Sequence, residues 1–235
     1  MKKSRELFAH PFSRAYWRLA ALEFKDWKML VLAAMLTAMR IAIKSLFIPV
    51  GPSLKVTFGF LVNAVGSMIY GPVVAIVTSA ISDTLGAILF PSGTYFFPFI
   101  FEEIAGGVLF ALFYYLAKLT TTRVTLGRLA VTVVCNLILN PILLMWYYAL
   151  FMGKSYAFMT WPRLAKNIAL FPLQTVALVL LFNLLLPVTN RLGLTYTGSG
   201  KMEITKKNIL TLIALTLIAA AVVVAYYLWV YKPKA

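Results

Sequence analysis

Cysteine and histidine are almost missing from this sequence. Cys135 is the one cysteine and His10 the one histidine among 235 residues. A single cysteine excludes a disulfide bond within the chain, and one residue of each kind cannot build a cysteine–histidine metal site. We therefore predict that the protein uses no metal ion and no cofactor.

Charged residues are also scarce, and acidic residues are the scarcest. Charged side chains make up 12% of the chain and hydrophobic ones 62%, and the mean hydropathy is +0.88. Soluble proteins carry about 25% charged residues, so this composition argues against a water-soluble enzyme. The net charge of +15 comes from 22 Lys and Arg against 7 Asp and Glu. An apolar chain offers no polar surface for nucleic acid, whereas basic residues are expected beside membrane spans on the cytoplasmic side. We predict a polytopic protein of the lipid bilayer.

Motifs for ATP hydrolysis and intramembrane proteolysis are absent. The nearest approach to a phosphate-binding loop, residues 198–202, has the wrong spacing and no hydroxyl after its lysine. The adjacent Glu102 and Glu103 resemble the paired glutamates of CAAX-type proteases, but position 107 is glycine and no later histidine exists. A membrane enzyme acting on lipids is a competing class, yet it should show metal ligands or a nucleophile–base pair. The chain is therefore predicted not to be an enzyme.

The apolar segments predict an all-α polytopic membrane protein, with a six-helix bundle and one additional C-terminal transmembrane helix. About 20 apolar residues cross a bilayer, and the tight turn Gly71-Pro72 joins a short second span to the third. The predicted spans are residues 29–48, 58–70, 73–90, 99–117, 126–151, 164–186 and 209–230. The predicted regions are a basic amphipathic segment (1–28), the six-span domain (29–190), a cytoplasmic linker (191–207), and the extra helix with a short tail (208–235).

The distribution of basic residues predicts a cytoplasmic N-terminus. Arg14, Arg18 and Lys25 fall on one face of a helix whose other face is largely aromatic, which is typical of a helix lying on an anionic leaflet. The loop after the fourth span adds further cations on the same side, as the positive-inside rule requires. These cations are Lys118, Arg123 and Arg128.

The first span has two opposed faces. Ala34, Ala38 and Ala42 recur every four residues, and small residues at this spacing allow another helix to approach closely. Arg40 and Lys44 are also four residues apart and lie on the opposite side. We predict that the alanine face docks a partner helix. Ordinary internal packing of the alanines and contact of the cations with lipid headgroups are the alternatives.

The outer half of the six spans collects groups suited to a flat, anionic ligand. Arg163 begins the sixth span beside Trp161 and shares a helix face with Asn167, and an arginine there suits a carboxylate or phosphate. Headgroup contact and packing between helices are the alternatives. Aromatic rings in the external loop can stack on a heteroaromatic ligand, and acids and amides can meet its ring donors. The remaining candidates, besides Arg40 and Lys44, are Asn63, Asp83, Tyr95, Phe96, Glu102, Asn136 and Asn140.

Four segments together resemble a known family of membrane proteins. They are Ile48–Phe60 (IPVGPSLKVTFGF), Tyr70–Val73 (YGPV), Ile81–Gly93 (ISDTLGAILFPSG), and Arg163–Asn167 (RLAKN) followed by Pro172. The stretch from about residue 29 to 190 resembles the S components of energy-coupling factor (ECF) transporters, and most of all their folate branch. The alanine face is similar to the small-residue motif with which S components dock their transmembrane partner.

The resemblance implies a high-affinity vitamin-binding subunit in the cytoplasmic membrane of a bacterium. Its expected partners are a transmembrane coupling protein and two ABC-type ATPases that drive uptake. The expected ligand is folate or a folate-like compound, and another vitamin or precursor is the alternative. Two features depart from the family pattern: Phe101–Glu103 replaces small and hydroxyl residues early in the fourth span, and a seventh span follows the usual six.

Overall fold

The fold is predominantly helical. A computed structural model describes residues 11–51, 54–91, 95–195 and 202, and within 209–224 the positions 209–211, 213, 214, 216–218, 220, 221 and 224. The elements in chain order are α1 (Arg14–Leu22), a 3₁₀ turn (Glu23–Lys25), α2 (Trp27–Lys44), β1 (Phe47–Gly51), β2 (Leu54–Thr57), α3 (Gly59–Leu89), α4 (Phe99–Tyr114), α5 (Thr121–Val131), a π-helical segment (Thr132–Leu139), α6 (Asn140–Met152) and α7 (Trp161–Arg191). A short apolar C-terminal helix, Ile209–Ile218, follows.

Three helices of the described chain are long and apolar enough to cross a membrane. They are Gly59–Leu89, Thr121–Met152 and Trp161–Arg191, and the second of them combines α5, the π-helical segment and α6. Helix formation over these apolar stretches agrees with a helical membrane protein. The count of six spans plus one stays a prediction, and most of residues 219–230 lie outside the described residues.

Helix α3 reverses direction at Gly71. Gly71 has φ 76° and ψ −178°, a backbone region open essentially only to glycine. One guanidinium nitrogen of Arg40 lies 3.3 Å from Asn63 Oδ1 and 3.1 Å from Ser79 Oγ. Along a straight helix those two side chains would be about 24 Å apart. The chain therefore folds back, so the predicted turn between the second and third spans is confirmed.

A short β-hairpin corrects the prediction of a purely helical chain. Strand β1 pairs antiparallel with β2, and Phe47 lies opposite Thr57. Helix α2 ends at Lys44, four residues before the predicted end of the first span. Pro49 cannot continue a helix, and β-branched residues on both sides of it favour strands. Hydropathy alone missed this change, because the segment stays apolar throughout.

Helix α1 packs against the bundle. The Tyr16 hydroxyl donates a hydrogen bond of 2.9 Å to the carbonyl oxygen of Ala111 in α4. Tyr16 and Ala20 are buried in a cluster with Tyr115. The predicted cations of this segment, Arg14, Arg18 and Lys25, are exposed. The opposite face packs on α4, so contact of the segment with an anionic leaflet stays a prediction.

Arg128 lies inside the bundle, so its assignment to the cytoplasmic surface is wrong. Its side chain is buried, and its Nη2 donates a hydrogen bond to Gln174 Oε1 in α7. Its guanidinium carbon lies 4.9 Å from the centre of the Phe60 ring. The amide and the ring offset the cost of burying the cation. A count of cations along the chain cannot detect such partners.

Candidate functional site

A network of charged side chains joins α2, α3 and α4. Arg40, which is 4% exposed, donates a hydrogen bond through Nη2 to Glu103 Oε2. Lys44 Nζ lies 3.4 Å from Glu103 Oε1 and 3.1 Å from Asp83 Oδ1. Opposite charges at these distances offset the cost of bringing each charge into an apolar bundle. The two cations expected to receive a ligand are therefore already paired with acids of the chain itself.

Polar groups of α3 complete this network. Arg40 Nη1 donates to Asn63 Oδ1 and Ser79 Oγ, so the Asn63 oxygen serves an internal contact. Gly107 of α4 lies directly against them, because a Cβ at this position would be 2.7 Å from Ser79 Oγ. The close approach of α4 to α3 thus requires a glycine, and it holds Glu103, one helical turn earlier, within reach of Arg40.

The amides of the fifth predicted span meet two different partners. Asn140 Nδ2 donates to Glu102 Oε2 at 2.8 Å, and Asn136 Nδ2 donates to Asn167 Oδ1 at 3.0 Å. The four-residue spacing predicts one shared face for the two asparagines. Hydrogen bonds from residue i to i+5 widen the turns of Thr132–Leu139, so residues four apart no longer lie directly above one another. The amides consequently bridge to both α4 and α7.

Arg163 retains an unused donor. Its Nη2 donates a hydrogen bond of 2.7 Å to the Tyr156 hydroxyl, and its guanidinium carbon lies 5.5 Å from the centre of that ring. Its Nη1 is buried and has no hydrogen-bond partner within the described part of the chain. Leaving a buried charged donor unpaired is costly, and a carboxylate is the partner that suits it best. Among the three candidate cations, Arg163 is thus the one with a donor left to bind an anionic ligand.

Asp83 holds the matching unused acceptor. Its Oδ1 accepts from Lys44, whereas its Oδ2 is buried without a hydrogen-bond partner in the described chain. The neighbouring Ser82 Oγ is also buried and has no hydrogen-bond partner in the described chain. Glu102 lies within electrostatic range of both Asp83 and Arg163. Together with Ser82, the charged side chains Asp83, Glu102 and Arg163 make up the polar region of the candidate site.

The aromatic candidates divide into one buried and two exposed rings. Phe96 is 6% exposed and packs edge to face with rings on α4 and α6. Tyr95 and Trp161 are 41% and 56% exposed, and the Tyr95 hydroxyl lies 3.4 Å from Thr84 Oγ1. Phe96 thus anchors the external loop, while the other two rings keep accessible surface. The rings that contact Phe96 are Phe99, Trp146, Tyr147 and Phe151.

The alanine face of α2 points out of the bundle. Ala34, Ala38 and Ala42 are exposed, whereas Arg40 is buried on the opposite side. The predicted opposition of the two faces is confirmed. Internal packing, the alternative for these alanines, does not occur in the described structure.

Three contributors to the site were not among the predicted candidates. The sequence could have indicated Glu103, because an acid within an apolar helix requires a cationic partner. The indication for Ser79 was weaker and consisted of the helix face that it shares with Asp83. Nothing in the sequence indicated Tyr156, because this residue lies between α6 and α7, where no periodicity constrains the position of a side chain.

Comparison with known proteins defines the class of this protein. The family described as "ECF transporter, substrate-specific component" matches residues 28–182, which is more than half of the chain. The chain therefore belongs to this family, and it is a substrate-binding subunit of a transporter and not an enzyme. The C-terminal helix lies beyond the match.

Within the family, the chain is similar to folate transporters. It is 32% identical over 127 residues to the folate transporter FolT of Clostridium novyi, which covers 54% of this chain and 72% of that protein. It is 30% identical over 151 residues to FolT of Leuconostoc mesenteroides, covering 63% and 81%. The crystal structure of a FolT bound with folic acid matches with a TM-score of 0.57 and 32% identity, over 64% of this chain and 89% of that one.

Proposed function

We propose that this chain is the folate-binding S component of an ECF importer. Its ligand is folate or a folate-like compound, which it takes from outside the cytoplasmic membrane. The similarity to FolT proteins, one of them solved with folic acid, supports the ligand class. The single geometric observation that carries the proposal is the buried Arg163 Nη1, which has no partner in the described chain. The basic segment before α2 supports a cytoplasmic N-terminus.

Folate joins a flat pterin ring to an anionic glutamate tail, and the polar region offers a counterpart for each end. Arg163 receives a tail carboxylate through Nη1, while Tyr156 holds the other side of the guanidinium. The ring N–H groups donate to Asp83 Oδ2, which lacks a partner in the described chain, and to Glu102. Tyr95 and Trp161 cover the ring from the exposed side.

Arg40 and Lys44 serve this site indirectly. Arg40 is paired with Glu103, and Lys44 with both Glu103 and Asp83. We therefore assign the ligand carboxylates to Arg163 and a supporting role to the paired cations. Asn63 belongs to the same support through its contact with Arg40. The amides of Asn136, Asn140 and Asn167 hold α4, α7 and the π-helical segment around the site.

Uptake requires partners, because the sequence has no phosphate-binding loop. We propose a transmembrane coupling protein that docks on the exposed alanines of α2, and two ABC-type ATPases that supply the energy. Membership of the family supports this arrangement. An S component for another vitamin is the second candidate, because Phe101–Glu103 departs from the family pattern at the start of α4.

A titration of folic acid into the purified chain tests this function. We expect saturable binding by the chain alone, in detergent or nanodiscs, and no hydrolysis of ATP by the same preparation. Biotin and riboflavin serve as control ligands and are expected not to bind. Binding of a control vitamin in place of folic acid would support the second candidate. ATP hydrolysis by the pure chain would contradict the S-component function itself.

A further inference from the structure

An apolar groove runs along the outside of the bundle between the helix Thr121–Met152 and α7. Its walls include Leu129 and Val133 on one side, and Ile168 and Phe171 on the other. The residues lining it contribute no exposed polar surface, so water is a poor occupant. A lipid chain or an apolar helix fits such a groove.

The two helices that form the groove have little cover of their own. In the most apolar stretch of each helix, the buried share of residues is 28% for Thr121–Met152 and 28% for Trp161–Arg191. The corresponding share for Gly59–Leu89 is 72%. Asn167 also lines the groove, and its amide is bonded to Asn136. This half-buried amide pair therefore lies at the edge of an open apolar channel, where hydrocarbon offers no compensating hydrogen bond.

One residue from elsewhere in the chain already lies on the groove. Ile218, in the C-terminal helix Ile209–Ile218, is among the lining residues. The sequence after Ile218 stays apolar to Val230, and a helix from Ile209 to that point would be about 33 Å long, enough to span a bilayer.

We propose that the C-terminal helix is a seventh span seated in this groove, parallel to α5 and antiparallel to α7. Its surface covers the apolar walls and separates the Asn136–Asn167 pair from lipid. Ile218 meets apolar side chains on both walls, among them Val133 on one side and Phe171 on the other. The alanine face lies on α2, which packs against α3, so the seventh span and a partner helix occupy different surfaces. The proposal is independent of the ligand.

Cross-linking of two introduced cysteines tests this placement. In the full chain, with Cys135→Ala to remove the native thiol, Ile218→Cys is combined with Val133→Cys and treated in membranes with a short bis-maleimide. We expect an intramolecular cross-link, detected as a shift in gel mobility and by mass spectrometry. The matched control combines Ile218→Cys with Met35→Cys, an exposed position of α2, and is expected to give none.

A second pair keeps the test decisive if the first variant folds poorly. Ile218→Cys with Ile168→Cys reports on the other wall of the groove, and a monodisperse elution profile checks that the protein is folded. Absence of an intramolecular cross-link in both folded pairs would overturn the proposal. A cross-linked dimer would overturn it too, because the occupant of the groove would then be a second copy of the chain.

Discussion

Replacement of Glu103 by alanine is expected to destabilise the protein by about 3–5 kcal/mol, the usual cost of leaving a buried charge without its ion-pair partner. Arg40 is 4% exposed, and Glu103 is its one acidic contact in the described chain. Without Glu103, Arg40 would keep a full charge in the apolar bundle with only Asn63 and Ser79 as acceptors. The expected result is a large loss of thermal stability, measured by the fraction that stays monodisperse after heating in detergent.

Glu102→Ala is the matched control, because it makes the same change at the adjacent position. Glu102 accepts from the neutral Asn140 amide, so its removal leaves no unpaired cation and should cost about 1–3 kcal/mol. If Glu103→Ala does not fold, the double variant Arg40→Met with Glu103→Met tests whether the unpaired charge of Arg40 is the cause. Removing both charges together should restore folding. Equal losses for Glu102→Ala and Glu103→Ala would contradict the assigned network, as would a double variant less stable than Glu103→Ala.

Replacement of Ala38 by tryptophan is expected to abolish association with the coupling protein. A bulky ring in the middle of the exposed alanine face would prevent the close approach of a partner helix. Binding of folic acid by the isolated subunit should survive, because Arg40 and the polar region lie on the opposite side of α2. Co-purification of the coupling protein and the ATPases with the tagged chain measures the effect.

Ala149→Trp provides the control for this experiment. Ala149 is exposed on α6, away from the alanine face, so the same increase in size should leave the complex intact. An unchanged complex with Ala38→Trp would contradict the docking surface. A loss of equal size with Ala149→Trp would show that the effect is not specific to α2.

Hydropathy and helical periodicity predicted most of the helices and the two opposed faces of α2. The opposition of Ala38 and Arg40 follows from a rotation of 100° per residue, and the reversal at Gly71 from a glycine–proline pair in an apolar run. These features depend on local sequence, so the sequence contains them. The end of α2 was missed because strand and span are equally apolar there.

The partners of the polar side chains could not be predicted in the same way. Arg40 and Glu103 are distant in sequence, and their contact depends on how closely α4 approaches α3 at Gly107. Periodicity fixes the direction of a side chain, but not the identity of the group that it meets. The same limit explains Arg128, whose partner Gln174 belongs to α7. The π-helical segment also turned Asn136 away from the face of Asn140 without a signal in the sequence.

The most direct test of the proposed site compares two ligands on two proteins by calorimetry. Folic acid and a bare pterin without the glutamate tail are titrated into the wild type and into Arg163→Ala. A charge-assisted hydrogen bond contributes about 1.5–3 kcal/mol, so the variant should bind folic acid about one to two decades more weakly.

Two further variants serve as controls. Arg163→Lys should be a poor replacement if the contact is bidentate. Lys154→Ala, which removes an exposed cation, should have no effect. The bare pterin should bind weakly to the wild type and be nearly indifferent to Arg163→Ala, because the group that Arg163 meets is missing. Equal losses for the two ligands would contradict the account, since Arg163 would then hold the fold and not the carboxylate.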